Sequence, residues 1–494
     1  MLEKYRKLIL LGIIVLGFAL RYYAAWNCCV VWDERHHDFP PAREISFNVK
    51  HLNLPLIDTR PQCSPMGGKY LVRTGWYIFG DNLLGARIPF VLIGTLNILL
   101  IYLLARVGLG TSVALLAASL FALCQFNLTT SRIADVTNPA VICLAIFSLW
   151  LFSKALKDSN DKLLLLSGAA IGIGFWFKEN AVFLVPIYLI FLAVCPESRL
   201  WLKKKNLWIS FAISFFIALP LIYASFNPAA LRYGYILDES SFGISLNAVG
   251  LYLGELILVI IKPLPKLFAY VAVSLDNEYT MVNFALGILI LVSVVKWIRN
   301  REPFIRMLIV CFLFNFITFS FIRRGNIIQS FWSLGSLDWS CISMIPGIIL
   351  AAYTLDTMQK KYKKTGLIIC AALLIFMAAR AVDIAIYPLN AYFPRREYLL
   401  EKDYFLYEAD DILWLGNAQW SKDMLEKVYK LTGKMPMHKK AAALRLARIL
   451  IKEGRYKEGK SYLEYIFSQD PGNKEALNLK EELKNQGWLI NEKI

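Results

Sequence analysis

The chain has 494 residues, 57% of them hydrophobic and 18% charged, whereas soluble domains carry about 25% charged residues. Its mean hydropathy of +0.49 argues against an ordinary soluble enzyme. The net charge is +17, but residues 387–494, with 19 Lys/Arg and 16 Asp/Glu, contribute only +3. The remaining positive charge lies in short loops between apolar runs. That pattern is typical of the cytoplasmic loops of a membrane protein and explains the positive charge without a nucleic-acid partner, so we expect none.

Apolar runs long enough to cross a bilayer recur along residues 1–386. They predict an all-α polytopic membrane protein with about eleven spans, and the basic short loops then all fall on one side. The N-terminal run lacks a small-residue cleavage site, so we interpret it as an uncleaved span. Residues 227–280 contain Pro263 and Pro265 and are expected to be exterior, with interfacial helices or one re-entrant segment. The predicted spans are about 8–26, 86–106, 112–127, 139–153, 163–177, 181–195, 207–226, 281–298, 307–322, 341–356 and 366–386.

Acidic residues recur in the predicted exterior loops. Asp33 and Glu34 follow the first span, Asp135 lies in the next exterior loop, and Glu179 follows Lys178 in a third. Ionised carboxylates near a bilayer need water, a partner or a cation. The pattern indicates a shared pocket with a general base, in which a divalent cation is one option. The alternative is a set of solvated loop acids.

Basic residues accompany these acids. Lys69 and Arg73 lie near the end of the first exterior loop, Arg132 lies three residues before Asp135, and Arg323-Arg324 follows the ninth span. Arginine binds phosphate oxygens in bidentate fashion and lysine as a point charge. These groups are therefore candidates to bind a lipid phosphate. The alternative is that they are cations extending from span ends to the interface.

Two features of the first exterior loop stay open. His36 and His37 adjoin the acidic pair and could ligate a metal, but no spaced ligand motif supports this. A disulfide from Cys63 to Cys28 or Cys29 is possible on spacing, and the sequence does not decide it.

The tail, residues 387–494, is charged and has a helical pattern. The stretch Ala441–Ala476 is similar to a tetratricopeptide repeat, and a weaker unit, Met424–Pro436, precedes it. The repeat-like region covers about 424–485, and Gly459 stands where such repeats usually carry alanine. We expect either a docking platform for a protein or glycan acceptor, or a helical hairpin that packs on the membrane domain.

Four blocks along residues 1–200 carry a family resemblance. They are Asp33-Glu34; Ser64–Leu71 followed by Tyr77–Pro89; Ser131–Asp135; and Gly172–Glu179. In order and spacing they resemble the GT-C glycosyltransferases of the protein-O-mannosyltransferase and aminoarabinose-transferase type. Ser64 and Met66 depart from the family pattern, which has histidine and proline there.

The resemblance implies a sugar donor linked to polyprenyl phosphate and an inverting transfer to an acceptor hydroxyl outside the cytoplasmic membrane. On this pattern Asp33 would be the general base, and Glu34 and Asp135 would position the acceptor or a cation. The expected donor-phosphate contacts are Lys69, Arg132, Arg323 and Arg324, and the expected acceptor contacts are Lys178 and Glu179. The membrane domain would cover 1–386, and the tail would be extracytoplasmic.

Two other function classes are alternatives to a glycosyltransferase. A transporter or flippase predicts charges at the midplane of several spans, for which Glu255 and Arg380 are the main candidates. A membrane-anchored scaffold would use the tail as its platform, but it leaves Asp33, Asp135 and Lys69 without a common explanation.

Overall fold

The computed structural model describes residues 2–28, 34, 38–56, 65–225, 289–290, 292–321, 341–386, 418–431 and 436–485. The predictions for Asp33, His36, His37, Arg323 and Arg324 lie outside these residues, as do those for Cys29, Cys63, Glu255 and residues 227–280. The described chain forms two compact units. The first comprises residues 2–28 and 38–386, and the second comprises Glu34 and residues 418–485.

The first unit is helical. Its elements are α1 (Leu2–Asn27), α2 (Phe39–Glu44), α3 (Gly67–Phe79), α4 (Leu83–Leu123), α5 (Gln125–Ser131), α6 (Asn138–Asp158), α7 (Asp161–Phe175), α8 (Leu184–Val194), α9 (Lys205–Ser225), α10 (Pro303–Phe321), α11 (Met344–Tyr362) and α12 (Lys364–Ile386). Short 3₁₀ segments lie at Val49–His51, Glu179–Phe183, Pro196–Lys203 and Cys341–Ser343. An isolated antiparallel bridge joins Ser46 to Asn53.

Six helices of the described chain are long and apolar enough to cross a membrane. This confirms the predicted polytopic all-α class. The predicted spans 163–177 and 181–195 correspond to α7, which has 15 residues, and to the helical run Glu179–Val194, which begins as a 3₁₀ turn; both are too short to count among the six. The third predicted span ends early, at Leu123, and the separate helix α5 follows it.

Helix α4 is the centre of the first unit, and α1, α3, α6 and α11 all pack on it. It is bent at Gly110, whose φ of +82° is a conformation that side-chain-bearing residues rarely adopt. The sequence predicts a tight inner turn at Gly108–Gly110, and the backbone breaks there. The two halves of α4 therefore correspond to the second and third predicted spans.

Small residues allow α7 and α9 to approach closely. A Cβ atom at Gly168 would overlap the Ser210 carbonyl oxygen, and one at Gly172 would lie 2.7 Å from the Ser214 carbonyl oxygen. The Ser210 hydroxyl also donates a 2.7 Å hydrogen bond to the Leu164 carbonyl. Small residues four apart on both helices are a common basis of helix association in membranes, where lipid tails weaken hydrophobic attraction.

The second unit contains α13 (Ala418–Leu431), α14 (Pro436–Lys452), α15 (Tyr456–Gln469) and α16 (Lys474–Asn485). Gly454, with φ of +76°, ends the turn after α14. Ile451, Leu463 and Ile466 are buried where α14 and α15 pack together. The helices and turns lie where the repeat pattern predicts them, and the tetratricopeptide assignment itself stays a prediction.

Candidate functional site

The beginning of α3 is packed against two loops that are distant in sequence. The Gly67 amide donates a 3.0 Å hydrogen bond to the Trp176 carbonyl. A Cβ atom at Gly68 would overlap the Val136 carbonyl oxygen. Only glycine permits this approach, because every other residue would place a carbon atom in the occupied space. The packing brings the segment that carries Lys69 against the loops that carry Asp135 and Lys178.

Asp135 organises the beginning of α6. Its Oδ1 accepts hydrogen bonds from the Thr137 amide (3.0 Å), the Thr137 hydroxyl (2.9 Å) and the Asn138 amide (3.0 Å). These bonds satisfy backbone donors at a helix N-terminus and place a negative charge at its positive end. Several donors also stabilise the anion, which suits an electrostatic or orienting role better than proton abstraction.

A hydrogen-bond chain links Lys178 to Asp135. The Lys178 ammonium donates to Asn138 Oδ1 at 3.0 Å, and Asn138 Nδ2 donates to Asp135 Oδ2 at 2.8 Å. The amide of Asn138 is thus oriented by a cation on one side and an anion on the other. Asn138 and Lys178 are both buried, so this chain is part of the interior and not a solvated surface pair.

The predicted phosphate-binding lysine is also buried. Lys69 has no exposed surface, and Lys178 is 4% exposed. The next residue, Tyr70, donates its hydroxyl to the Pro55 carbonyl at 2.9 Å, which fixes this turn of α3. Two lysines held in neighbouring segments of a water-poor interior would attract an anion more strongly than solvated lysines.

Buried arginines serve the ends of membrane helices. Arg87 Nη1 donates to the carbonyls of Ala25 (3.0 Å) and Cys28 (2.6 Å), at the end of α1. Arg21 Nη1 donates to the Ala122 carbonyl (3.2 Å), at the end of α4. Each helix therefore carries an arginine that caps the other. A cation at a helix C-terminus satisfies carbonyl groups that lack partners within the helix and is favoured by the helix dipole.

Arg132 follows the same pattern. It is fully buried, and its Nη1 donates to the Ile384 carbonyl (3.3 Å) near the end of α12. Its expected role as a donor-phosphate contact stays a prediction, and the structure adds this helix-end contact. The loop around Arg132 is also shorter than predicted, because α5 includes residues 125–131.

The structured part of the first loop is fixed by a cation. Arg43 forms a bidentate pair with Asp81 (2.6 and 2.8 Å) and stacks on the Trp76 ring at 4.2 Å from its centroid. The Phe39 ring also packs against Trp76, with 5.5 Å between the two ring centroids. These contacts hold α2 on α3 and join both to the beginning of α4.

The remaining site predictions have separate positions. Glu34 is fully buried and is described with the second unit, whereas Asp38 is buried in the first. Glu179 is half-buried at the first residue of a 3₁₀ turn. Among the residues of known placement, no group of three His, Cys, Asp or Glu side chains could hold a metal ion. Because Asp33, His36 and His37 are outside that set, a divalent cation stays a prediction.

The sequence comparisons concern the part of the chain that forms this site. Residues 63–224 match the family described as dolichyl-phosphate-mannose-protein mannosyltransferase. An undecaprenyl phosphate-alpha-4-amino-4-deoxy-L-arabinose arabinosyl transferase of Pseudomonas fluorescens is 27% identical over 164 residues, which are 32% of this chain and 28% of the relative. The enzyme of that name in Erwinia tasmaniensis is 30% identical over 182 residues, 35% of this chain and 32% of the relative. The family resemblance is confirmed.

The match has a limited extent. The aligned segments span less than a third of the length of each of these two arabinosyl transferases. The oligosaccharyltransferase of Archaeoglobus fulgidus, solved as a complex with Zn and sulfate, superposes with a TM-score of 0.50 at 18% identity. That superposition covers 81% of this chain and 55% of the archaeal one, and it concerns the fold alone.

Sequence reasoning missed three contributors to the site. Asn138 was not singled out, although an Asn-Pro pair following Asp135 and Thr137 is a recognisable helix-start signal. Arg21 was not counted among the buried charges of the spans, although it interrupts an apolar run. The role of Arg87 at the end of α1 has no local signal, because its partners lie some sixty residues earlier.

Proposed function

We propose that this protein transfers a sugar from a polyprenyl-phosphate-linked donor to an acceptor hydroxyl, with inversion, on the extracytoplasmic side of the membrane. The observation that carries this proposal is the convergence of three sequence blocks at the beginning of α3. Gly67 and Gly68 pack directly on the loops of Trp176 and Val136, which supports the assignment of Lys69, Asp135 and Lys178 to one site.

The family match supports the same chemistry. It covers all three blocks, and the arabinosyltransferase relatives are named for an undecaprenyl phosphate-linked sugar. A carrier of this kind stays in the bilayer and presents its phosphate at the interface. A site built from loops at the ends of membrane helices, with buried lysines, suits such a substrate.

The proposed reaction assigns one task to each group. The Asp33 carboxylate accepts the proton of the acceptor hydroxyl while that oxygen attacks the anomeric carbon. The bond between the anomeric carbon and the phosphate oxygen breaks, and polyprenyl phosphate leaves. Lys69 stabilises the leaving phosphate, with Arg132, Arg323 and Arg324 as further candidates. Asp135, fixed by its bonds to residues 137 and 138, orients this cation-rich region.

The test uses purified full-length protein with a polyprenyl-phosphate sugar labelled in the sugar. Asp33→Asn keeps the size of the side chain but removes the proton acceptor. We expect label transfer to cell-envelope acceptors to fall by at least about 10²-fold, with an unchanged melting temperature. Glu44→Gln, at an exposed acid of the same interhelical segment, is the matched control and should transfer at the wild-type rate.

Two outcomes count against the proposal in different ways. Wild-type transfer by the Asp33→Asn variant would remove Asp33 as the base and leave the donor class standing. Absence of transfer by the wild-type protein with every polyprenyl-phosphate sugar, together with solute uptake in proteoliposomes, would favour the transporter alternative. Comparison of surface glycoconjugates with and without the protein would identify the acceptor, and labelling residue 33 from outside would test the sidedness.

A further inference from the structure

A folded hairpin at residues 46–53 presents apolar side chains to the exterior. Ser46 and Asn53 exchange two backbone hydrogen bonds of 3.0 and 3.1 Å, and a 3₁₀ turn at Val49–His51 forms the tip. Asn48 Oδ1 accepts the Lys50 amide at 3.0 Å within that turn. The tip is therefore an ordered element with a defined shape.

The hairpin is attached firmly to the elements below it. Asn53 Nδ2 donates to the Glu44 carbonyl at 2.7 Å, and Tyr70 on α3 reaches the Pro55 carbonyl at 2.9 Å. The rings of Phe47 and Tyr70 are 6.4 Å apart. The position of the tip is thus fixed relative to α3.

Apolar side chains of the hairpin and of the segment that follows it are exposed. Val49 is 92% exposed and Leu52 is 60% exposed, and Phe47, Leu54 and Leu56 are partly exposed as well. A cluster of exposed apolar side chains in one short segment usually marks a contact with another phase or molecule. Residue 45, in contrast, is fully buried, so the exposure is confined to the outer part of this segment.

A second apolar surface lies at the end of α3, where Tyr77, Ile78 and Phe79 are exposed. Membrane helix α4 begins at Leu83, four residues after Phe79. A chain of four residues spans at most about 14 Å, so the end of α3 lies close to the plane at which α4 enters the bilayer. Tyrosine at that depth is typical of the membrane interface.

We propose that the 46–53 hairpin and the end of α3 insert together into the bilayer leaflet at which α1 ends. The apolar tip would enter the boundary between headgroups and acyl chains, and the exposed Lys50 ammonium would contact lipid phosphates. The membrane is the occupant chosen because the end of α3 lies four residues before the entry of α4, because the hairpin packs on α3, and because both lie in the segment that joins two membrane helices, α1 and α4.

The experiment places an environment-sensitive fluorophore at residue 49 through a bio-orthogonal amino acid, in the full-length protein reconstituted in liposomes. Because Val49 is almost fully exposed, the label should leave the melting temperature unchanged. The matched control carries the label at Glu44, a polar exposed residue at the base of the same hairpin. The quenchers are lipids brominated in the upper acyl chain and aqueous iodide.

We expect bromolipids to quench residue 49 at least about twofold more than residue 44, and iodide to show the opposite order. Equal iodide quenching at both positions, without an effect of bromolipids, would overturn the proposal, because the tip would then stand in water. Emission that depends on protein density and not on bromolipids would also overturn it, since a second copy of the chain would then cover the hairpin.

Discussion

Replacement of Gly68 by alanine is the most direct test of how the site is assembled. The new Cβ would overlap the Val136 carbonyl oxygen by about 1 Å relative to the shortest normal contact. Both atoms belong to, or are attached directly to, backbone, so neither can rotate away. The beginning of α3 and the loop of Asp135 must therefore separate. Overpacking of this kind costs about 1–3 kcal/mol of stability.

The functional effect of Gly68→Ala should exceed its effect on stability. A displacement of about 1 Å between groups that act on one substrate can lower a rate about 100-fold. The assay combines thermal unfolding of the purified protein with sugar transfer from the polyprenyl-phosphate donor. Gly12→Ala is the matched control, because nothing lies within 4 Å of a Cβ atom at that position of α1.

The reasoning would be refuted by a Gly68→Ala protein that unfolds and reacts like the Gly12→Ala protein. That result would mean that α3 and the loop at 135–138 are not in contact. Loss of stability with retained transfer would have a narrower meaning. The contact would then be real, but the site would not depend on it.

Two further changes test other parts of the fold. Arg87→Met removes the hydrogen-bond donor from two carbonyl groups at the end of α1 and should lower the free energy of unfolding by about 1–3 kcal/mol. Arg106→Met, at an exposed position of the same helix, is the control and should unfold like the wild type. Gly459→Ala introduces the residue that tetratricopeptide repeats usually carry there, but the new Cβ would lie 2.9 Å from Ile451 Cγ1, so the rate of hydrogen exchange in α14 and α15 should rise. Gly472→Ala is the control: its Cβ meets nothing within 4 Å, and the exchange rate should not change. Unchanged melting of the Arg87 variant, or slower exchange in the Gly459 variant, would contradict these two accounts.

Much of the fold could be predicted because hydropathy and basic loops are local signals. The break at Gly110 lies in the predicted turn, and α4 and α7 lie near predicted spans, whereas α3, which carries Lys69, falls in a segment predicted as an exterior loop. The expectation that Lys69, Asp135 and Lys178 lie close together rested on the predicted topology and on the family resemblance. The sequence cannot show which polar groups become buried by distant partners. Asp135, for example, is predicted from the sequence only as an acid of the site. In the structure it also caps α6, because it accepts hydrogen bonds from backbone amides at the beginning of that helix.

The predictions for the tail had a similar limit. The resemblance to a tetratricopeptide repeat predicted a helical hairpin in this stretch, where the structure has α14, the turn at Gly454 and α15. The sequence shows that Gly459 replaces the usual alanine, but it does not show why a glycine is needed there. In the structure that glycine lies against Ile451, a residue of the preceding helix, and there is little room for a methyl group.

The exchange of arginine caps between α1 and α4 has a consequence for biosynthesis. Both helices are made before α6 to α12, and each brings a cation that caps the carbonyl end of the other. The capped carbonyl groups of an α1–α4 pair can therefore find their partners in lipid before α6 to α12 are made. Arg132 must instead await α12, the last membrane helix described, so we expect closure of the site to be a late event of insertion.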